Sequence, residues 1–180
     1  PLMSGGMVLV DISTKASSVL TTKGDLATYS TSRVRKAIGT NSQLLFADSS
    51  DATGNVWSDN TTSFVIACSD ETSDLETGDD KAQIQLPFAF ELTSISANVN
   101  TASTGADINI QVQEDDVDIM SGVGITIDAT ETSSLTSATS PTITDSTLAS
   151  GSIISVDLDQ IGSGDTGTGL KVNLIGYRIV

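Results

Sequence analysis

The side chains with chemistry to offer are almost all carboxylates: the chain carries 23 Asp and Glu, one cysteine and no histidine. Without histidine there is no Ser-His-Asp triad, no imidazole-ligated zinc and no imidazole general base. Cys68 has no second cysteine for a disulfide or a thiolate metal site, and within the apolar run FVIAC it reads as a small buried hydrophobe. Carboxylates suit two kinds of chemistry. One is glycan hydrolysis by a pair of acids, but sugar clefts use aromatic platforms, and here the aromatics are Trp57, Tyr29, Tyr177 and 4 Phe. The other is Ca²⁺ coordination, which takes several oxygen ligands from a loop. Asp157, Asp159 and Asp165 around DLDQIGSGD are the best candidates. Counted from Asp157, however, Ile161 falls at the fifth position and Thr168 at the twelfth, where an EF-hand loop supplies oxygen. Asp157 and Asp159 also alternate with Val156 and Leu158, the pattern of a strand's outward, solvated face. The clusters EDDVD at 114–118 and ETGDD at 76–80 are weaker metal candidates. The expectation is a chain with no catalytic residue, no cofactor and no metal.

Charge divides the chain more sharply than any motif. Residues 1–58 carry five bases (Lys15, Lys23, Arg33, Arg35, Lys36) and four acids (Asp11, Asp25, Asp48, Asp51), a sum of +1. Residues 59–180 carry three bases (Lys81, Lys171, Arg178) and nineteen acids, a sum of −16. Such a domain repels phosphate backbones, so nucleic acid is not an expected partner, and it stays soluble when displayed in many copies. The trio Arg33, Arg35 and Lys36 lacks the flanking phosphate-binding elements and aromatics of a nucleic-acid site; it suits an acidic protein partner or solvent. The apolar run Met7, Val8, Leu9 and Val10 is too short to span a membrane and lacks the basic start of a signal peptide.

The elements behind these residues follow from periodicity. Residues 1–20 read as an extended arm that needs a partner surface to order it. From 21 to 58 the apolar runs are short and set off by Gly24, Gly39, Asn41 and Gly54, so none buries a face alone; a multi-chain stalk or docked segment is expected. Beyond residue 60 the text alternates with period two. Ile108, Ile110 and Val112 do so, as do Ile154, Val156 and Leu158, and Leu170, Val172 and Leu174. Phe64–Cys68, Ala82–Phe88, Leu92–Val99, Val117–Met120 and Ile125–Asp128 complete eight expected strands, with turn-rich text between them, including the Ser/Thr run 130–147. The expected fold is all-β: an arm and stalk over 1–58, then a jelly-roll-like antiparallel β-sandwich over 59–180.

The segment from Thr21 to Trp57 resembles a module of structural and fibre-like proteins of tailed bacteriophages. There TKGDL, a basic or apolar stretch, a G-T-N/D-x-Q-x-L core and A-D-S-x-x-A-T-G-x-x-W follow in that order. Thr22 to Leu26, Gly39 to Leu44 and Ala47 to Trp57 keep the order, with Ser42 and Phe46 where Gly and Thr are common. The text from FVIACSDETSDLETGDD to LKVNLIGYR is similar to a β-domain that such proteins often carry next. The resemblance implies a virion location, a homotrimer, and other virion proteins as partners in the capsid, collar or tail. The leading expectation is therefore a structural protein that decorates the capsid or belongs to a head or tail fibre. Its contacts to the particle and to its own copies would run through Met7, Val8, Leu9, Val10, Leu26, Leu44, Leu45 and Trp57. Trp57 stands where stalk text gives way to β-domain text, a place for a large ring to close a hinge or a subunit seam. The alternative is a module whose end loops hold host-surface glycan, which exposed loop aromatics would favour.

Overall fold

Clean alternation becomes sheet. The structure, a computed structural model, describes residues 20–30 and 32–180, and divides into a unit ending at Asp59 and a second unit, Asn60–Val180. Met7 to Val10, and the expected arm with them, lie outside the described residues.

The first unit is two antiparallel hairpins. β1 (Leu26–Tyr29) pairs with β2 (Arg33–Lys36), and β3 (Gln43–Ala47) pairs with β4 (Asn55–Asp59). The text expected to form a stalk thus has local structure of its own. Hairpin turns supply it: in DSSDATG the Asp48 and Asp51 carboxylates accept the Ser50 and Thr53 amides at 2.8 Å each, and Gly54 takes φ +74°, which a side chain resists.

The second unit begins with β5 (Thr61–Ala67), β6 (Gly78–Gln85), β7 (Phe90–Asn98) and β8 (Ile108–Glu114). The short β9 (Val117–Asp118), β10 (Met120–Ser121), β11 (Ile125–Ile127), β12 (Thr142–Ile143) and β13 (Thr147–Leu148) follow, then β14 (Ile153–Gln160) and β15 (Lys171–Arg178). One sheet has the order β13-β7-β15-β5 and the other β11-β8-β14-β6, with β9 folded back on β8 and β10 paired with β12. Numbering only the eight main strands in chain order gives 6-3-8-1 and 5-4-7-2, the strand orders of a jelly roll. No helix occurs among the described residues.

The inward residues of both sheets form one core. Ile108, Ile110 and Val112 of β8, Ile154 and Val156 of β14, and Val172 and Leu174 of β15 are all completely buried. At the β5 end Phe64 packs edge-on to Phe90, with ring centroids 5.2 Å apart. Register shifts interrupt strict alternation. In β7 both Leu92 and Ile95 point inward, because the pairing with β15 shifts between Ile175 and Gly176 and leaves Thr93 as an extra residue. In β14 the pairing with β6 shifts between Val156 and Leu158.

That second shift corrects the reading of Asp157 as a solvated outward residue. Where β14 and β6 part, the Asp157 carboxylate turns in to accept the Asp80 amide at 2.7 Å and is only 7% exposed. The Ser/Thr run 130–147, expected as turn, contains β12 and starts β13, whose Thr147 and Leu148 pair with Glu91 and Phe90.

Candidate functional site

The first unit draws attention because it lacks what usually holds a fold together. Among the described residues of this unit the sole buried one is a carboxylate, Asp25. Its Oδ2 accepts the amides of Thr21 (3.0 Å) and Thr22 (2.8 Å) and the Arg35 Nε (2.7 Å), while Oδ1 accepts the Ile38 amide at 3.3 Å. One side chain therefore ties the entry of β1, the middle of β2 and the exit of β2. Burial alone would raise the Asp25 carboxyl, but the bonds from Thr21, Arg35, Thr22 and Ile38 outweigh it and hold the group down at about 2.

Two further ties join the hairpins. Lys36 Nζ donates to the Asn55 carbonyl at 2.7 Å and lies 3.5 Å from the Asp51 carboxylate. Trp57 Nε1 donates to the Ala37 carbonyl at 2.8 Å, and its ring lies so close to Gly39 that a Cβ there would be 2.8 Å from ring atoms. At Gly24, φ is +90° and a Cβ would meet Ile38 Cδ1 at 2.3 Å. The glycines of TKGDL and GTN are thus places where only a bare backbone fits.

Apolar side chains are left outside. Ile38, Leu44, Leu45 and Phe46 are 54%, 47%, 41% and 44% exposed, and Tyr29 is 74% exposed. In the β3–β4 hairpin Phe46 stands opposite Val56, with Leu44 two residues along on the same face, while Leu45 stands opposite Trp57 on the other. Of the residues expected to make contacts, Leu44 and Leu45 lie exposed on β3. Trp57 is half-buried and engaged with Ala37 and Gly39, and Leu26 is half-buried in β1 opposite Lys36. Sequence reasoning missed Phe46 and Val56, which complete the Leu44 face, and it missed Asp25. The signal for Asp25 was present: a lone acid after Gly24, between two threonines and an apolar strand.

The candidate calcium residues are dispersed. Asp157 is spent on the Asp80 amide, and Asp165 belongs to a different loop, where its amide donates to Thr104 Oγ1 at 2.7 Å. Desolvation first, and then the charges of Asp157, Asp118 and Asp79, push the Asp159 carboxyl upward. Among the described residues no three Asp, Glu, Cys or His side chains are grouped to hold an ion. Cys68 is buried and its thiol is pushed up to about 11 by desolvation, which leaves it unreactive. No described helix is long and apolar enough to cross a membrane. No family model, curated protein or solved structure matches the chain.

Proposed function

We propose that this chain is a non-enzymatic structural protein of a tailed-phage particle: a homotrimeric capsid-decoration, head-fibre or tail-fibre component fastened by its N-terminal segment. One observation carries the reading. The described residues between 20 and 59 form two hairpins that bury a carboxylate and not a single apolar side chain, while Leu44, Phe46 and Leu45 stay open. Two-stranded hairpins are marginal in water and need a further surface. Neighbouring copies can supply it without electrostatic penalty, because residues 20–59 hold four bases and four acids, a net charge of zero. Residues 60–180 hold three bases and eighteen acids, net −15, so the jelly roll of each copy is driven away from its neighbours and outward.

The virion assignment itself rests on the motif order TKGDL, GTNSQLL, ADSSDATGNVW. What supports it is that those motif residues are the ones with structural duties: Gly24 and Asp25, Gly39 and Trp57, and the Asp48–Gly54 turn. The glycan-binding alternative gains no comparable footing. The domain's phenylalanines are packed together, Phe88 lying 5.8 Å from Phe64 and beneath the Arg178 guanidinium at 5.2 Å. The test is sedimentation of the full chain and of a chain lacking residues 1–59. A full-length trimer and a folded, largely monomeric truncation are expected. A full-length monomer at micromolar concentration overturns the oligomeric reading.

A further inference from the structure

We propose that the open edge of β5 is a strand-addition site for an extended segment of a partner protein, free of carboxylates and flanked by Lys or Arg. The argument begins with hydrogen-bond phase. The Cys68 amide donates to the Leu170 carbonyl at 2.9 Å, and β5 pairs with β15 in unbroken register from Lys171↔Ala67 to Tyr177↔Thr61. In an antiparallel ladder the bonded pairs alternate, so Ile66, Phe64 and Thr62 face β15 with their amides and carbonyls. Thr61, Ser63, Val65 and Ala67 therefore turn theirs to the outside, where no strand of the described residues pairs with them. Their side chains are exposed too, Val65 at 60%.

The other sheet edges are blunted. β13 is 2 residues long, and the edge beyond β8 consists of β9 and β11, of 2 and 3 residues. β6 begins Gly78-Asp79-Asp80-Lys81, with φ +50° at Asp80 and a break in its register with β14. Charges, bulges and shortness are the ordinary means of keeping an edge from accepting another strand. β5 has none of them: its 7 residues, TTSFVIA, hold no charge, proline, glycine or bulge. A bare edge of this kind pairs by main-chain hydrogen bonds and selects by side chain and charge.

Charge and symmetry choose the occupant. The domain is net −15, and β5 ends toward Asp70 and Glu71. Of the nearby cations, Lys171 pairs with Glu71 at 2.8 Å, Arg178 lies over the Phe88 ring, and Lys81 stands around one pocket with the carboxylates of Asp70, Asp74 and Glu76. An acidic strand is repelled and a basic-flanked one attracted. A second copy of β5 would bring another domain of −15, and edge-to-edge self-pairing is two-fold, which does not close a trimer. The preference for a foreign strand over a second copy rests in part on the proposed trimer, whereas the exchange of the Ser63 and Val65 amides reads β5 directly, so failure of the site and failure of the trimer are distinguishable.

The experiment is amide hydrogen exchange by NMR on the full chain. The probe is a capped nine-residue peptide of alternating Thr and Val with Lys at both ends, compared with the same peptide ending in Glu. Alone, Ser63 and Val65 amides should exchange freely while Phe64 and Ile66 are protected. The Lys peptide at about 1 mM, a concentration that populates weak complexes, should slow Ser63 and Val65 by about tenfold or more; the Glu peptide should not. Ser63→Pro, which removes an outward N–H, should abolish the effect. Val65→Lys, which leaves the backbone intact, should weaken it, and decides the matter if the proline variant does not fold. No slowing of Ser63 and Val65, or equal slowing in either variant, overturns the site. Equal slowing by both peptides overturns the charge preference. Protection that rises with protein concentration, without peptide, identifies a second copy as occupant and overturns the choice of partner.

Discussion

At the scale of the residue, Asp25 takes the place of a core. A carboxylate that accepts three amides and an arginine holds four chain positions with one side chain, which an unpatterned, 40-residue hairpin unit could not do with apolar contacts. Its carboxyl, at about 2 against an ordinary 3.8, ties stability to pH with a definite sign. The folded form binds its proton less readily than the unfolded one. The stabilisation is therefore complete above the ordinary value and is lost as pH falls from about 4 through about 2. The Thr22 amide shift, which reports the Asp25 carboxylate directly, should titrate with a midpoint near 2 rather than near 4. Asp25→Asn should remove that titration and open the β1–β2 hairpin at neutral pH. A midpoint near 4 shows that the four bonds are absent in solution. The acids of the second unit lead to the opposite kind of expectation. Asp157, Asp159 and Asp165 are not gathered around one point, so excess chelator should leave the melting temperature unchanged. A bound ion at a hundred times its dissociation constant adds about 2.7 kcal/mol, which a domain of this size would register as a fall of several degrees on chelation. Such a fall would restore a metal site and make Asp157 the first residue to replace.

At the scale of the element, the open face of β3 and β4 carrying Leu44, Phe46 and Val56 is the seam that the proposed trimer would use. Burying the exposed half of two such side chains at a seam stabilises by roughly 0.7–1.5 kcal/mol each in every copy. The double change Leu44→Ser with Phe46→Ser should therefore lower trimer affinity by orders of magnitude while leaving the Asp25 and Trp57 ties intact. Sedimentation over a concentration series reads the affinity, and the Trp57 indole N–H signal checks the fold. An unchanged trimer would move the seam elsewhere. Elements also differ in how far they could be read from sequence. β8, β14 and β15 were legible because apolar residues recur at every second position: Ile108, Ile110 and Val112 are simply the inner half of their strand. β7 was harder, since the bulge at Thr93 places Leu92 and Ile95, three apart, on one face, and no period-two pattern contains both. β13 was invisible in Ser/Thr text because it is Thr147–Leu148 alone, held by hydrogen bonds from Ser146 and Thr147 hydroxyls to the Glu91 carboxylate at 2.8 and 3.1 Å. The hairpins of the first unit escaped periodicity for a different reason. Leu44, Leu45 and Phe46 are consecutive, so apolar groups fall on both faces and neither face reads as inner. Asp157 misled because alternation gives a side chain's direction and says nothing of a neighbouring bulge that folds over it.

At the scale of the whole molecule, the proposed place on a phage particle predicts a division of labour set by charge. A sum of zero over residues 20–59 and −15 over residues 60–180 means that the first part can approach its own copies without a growing repulsion, whereas the second repels its copies and other acidic surfaces. At physiological ionic strength screening extends over about 8 Å, so the repulsion acts between neighbouring domains in contact but fades beyond them. In the proposed trimer, that is enough to keep jelly rolls apart while the hairpin units meet. Attachment should then depend on residues 1–59, whose exposed leucines, Phe46 and Ile38 offer the apolar area a stable contact needs, together with the run Met7 to Val10. A fusion of residues 1–59 to an inert carrier should bind particles lacking this protein and compete with the full chain for the same places. The domain from Asn60 onward, whose single core gives it the means to fold alone, should not bind such particles at physiological salt. The salt dependence separates the alternatives further. If like charge is what keeps the domain off, raising the salt should weaken the exclusion somewhat without producing saturable binding. If the isolated domain decorates particles saturably at low salt, then the particle presents it with a basic surface, the jelly roll is the docking face, and the hairpins serve only to hold copies together.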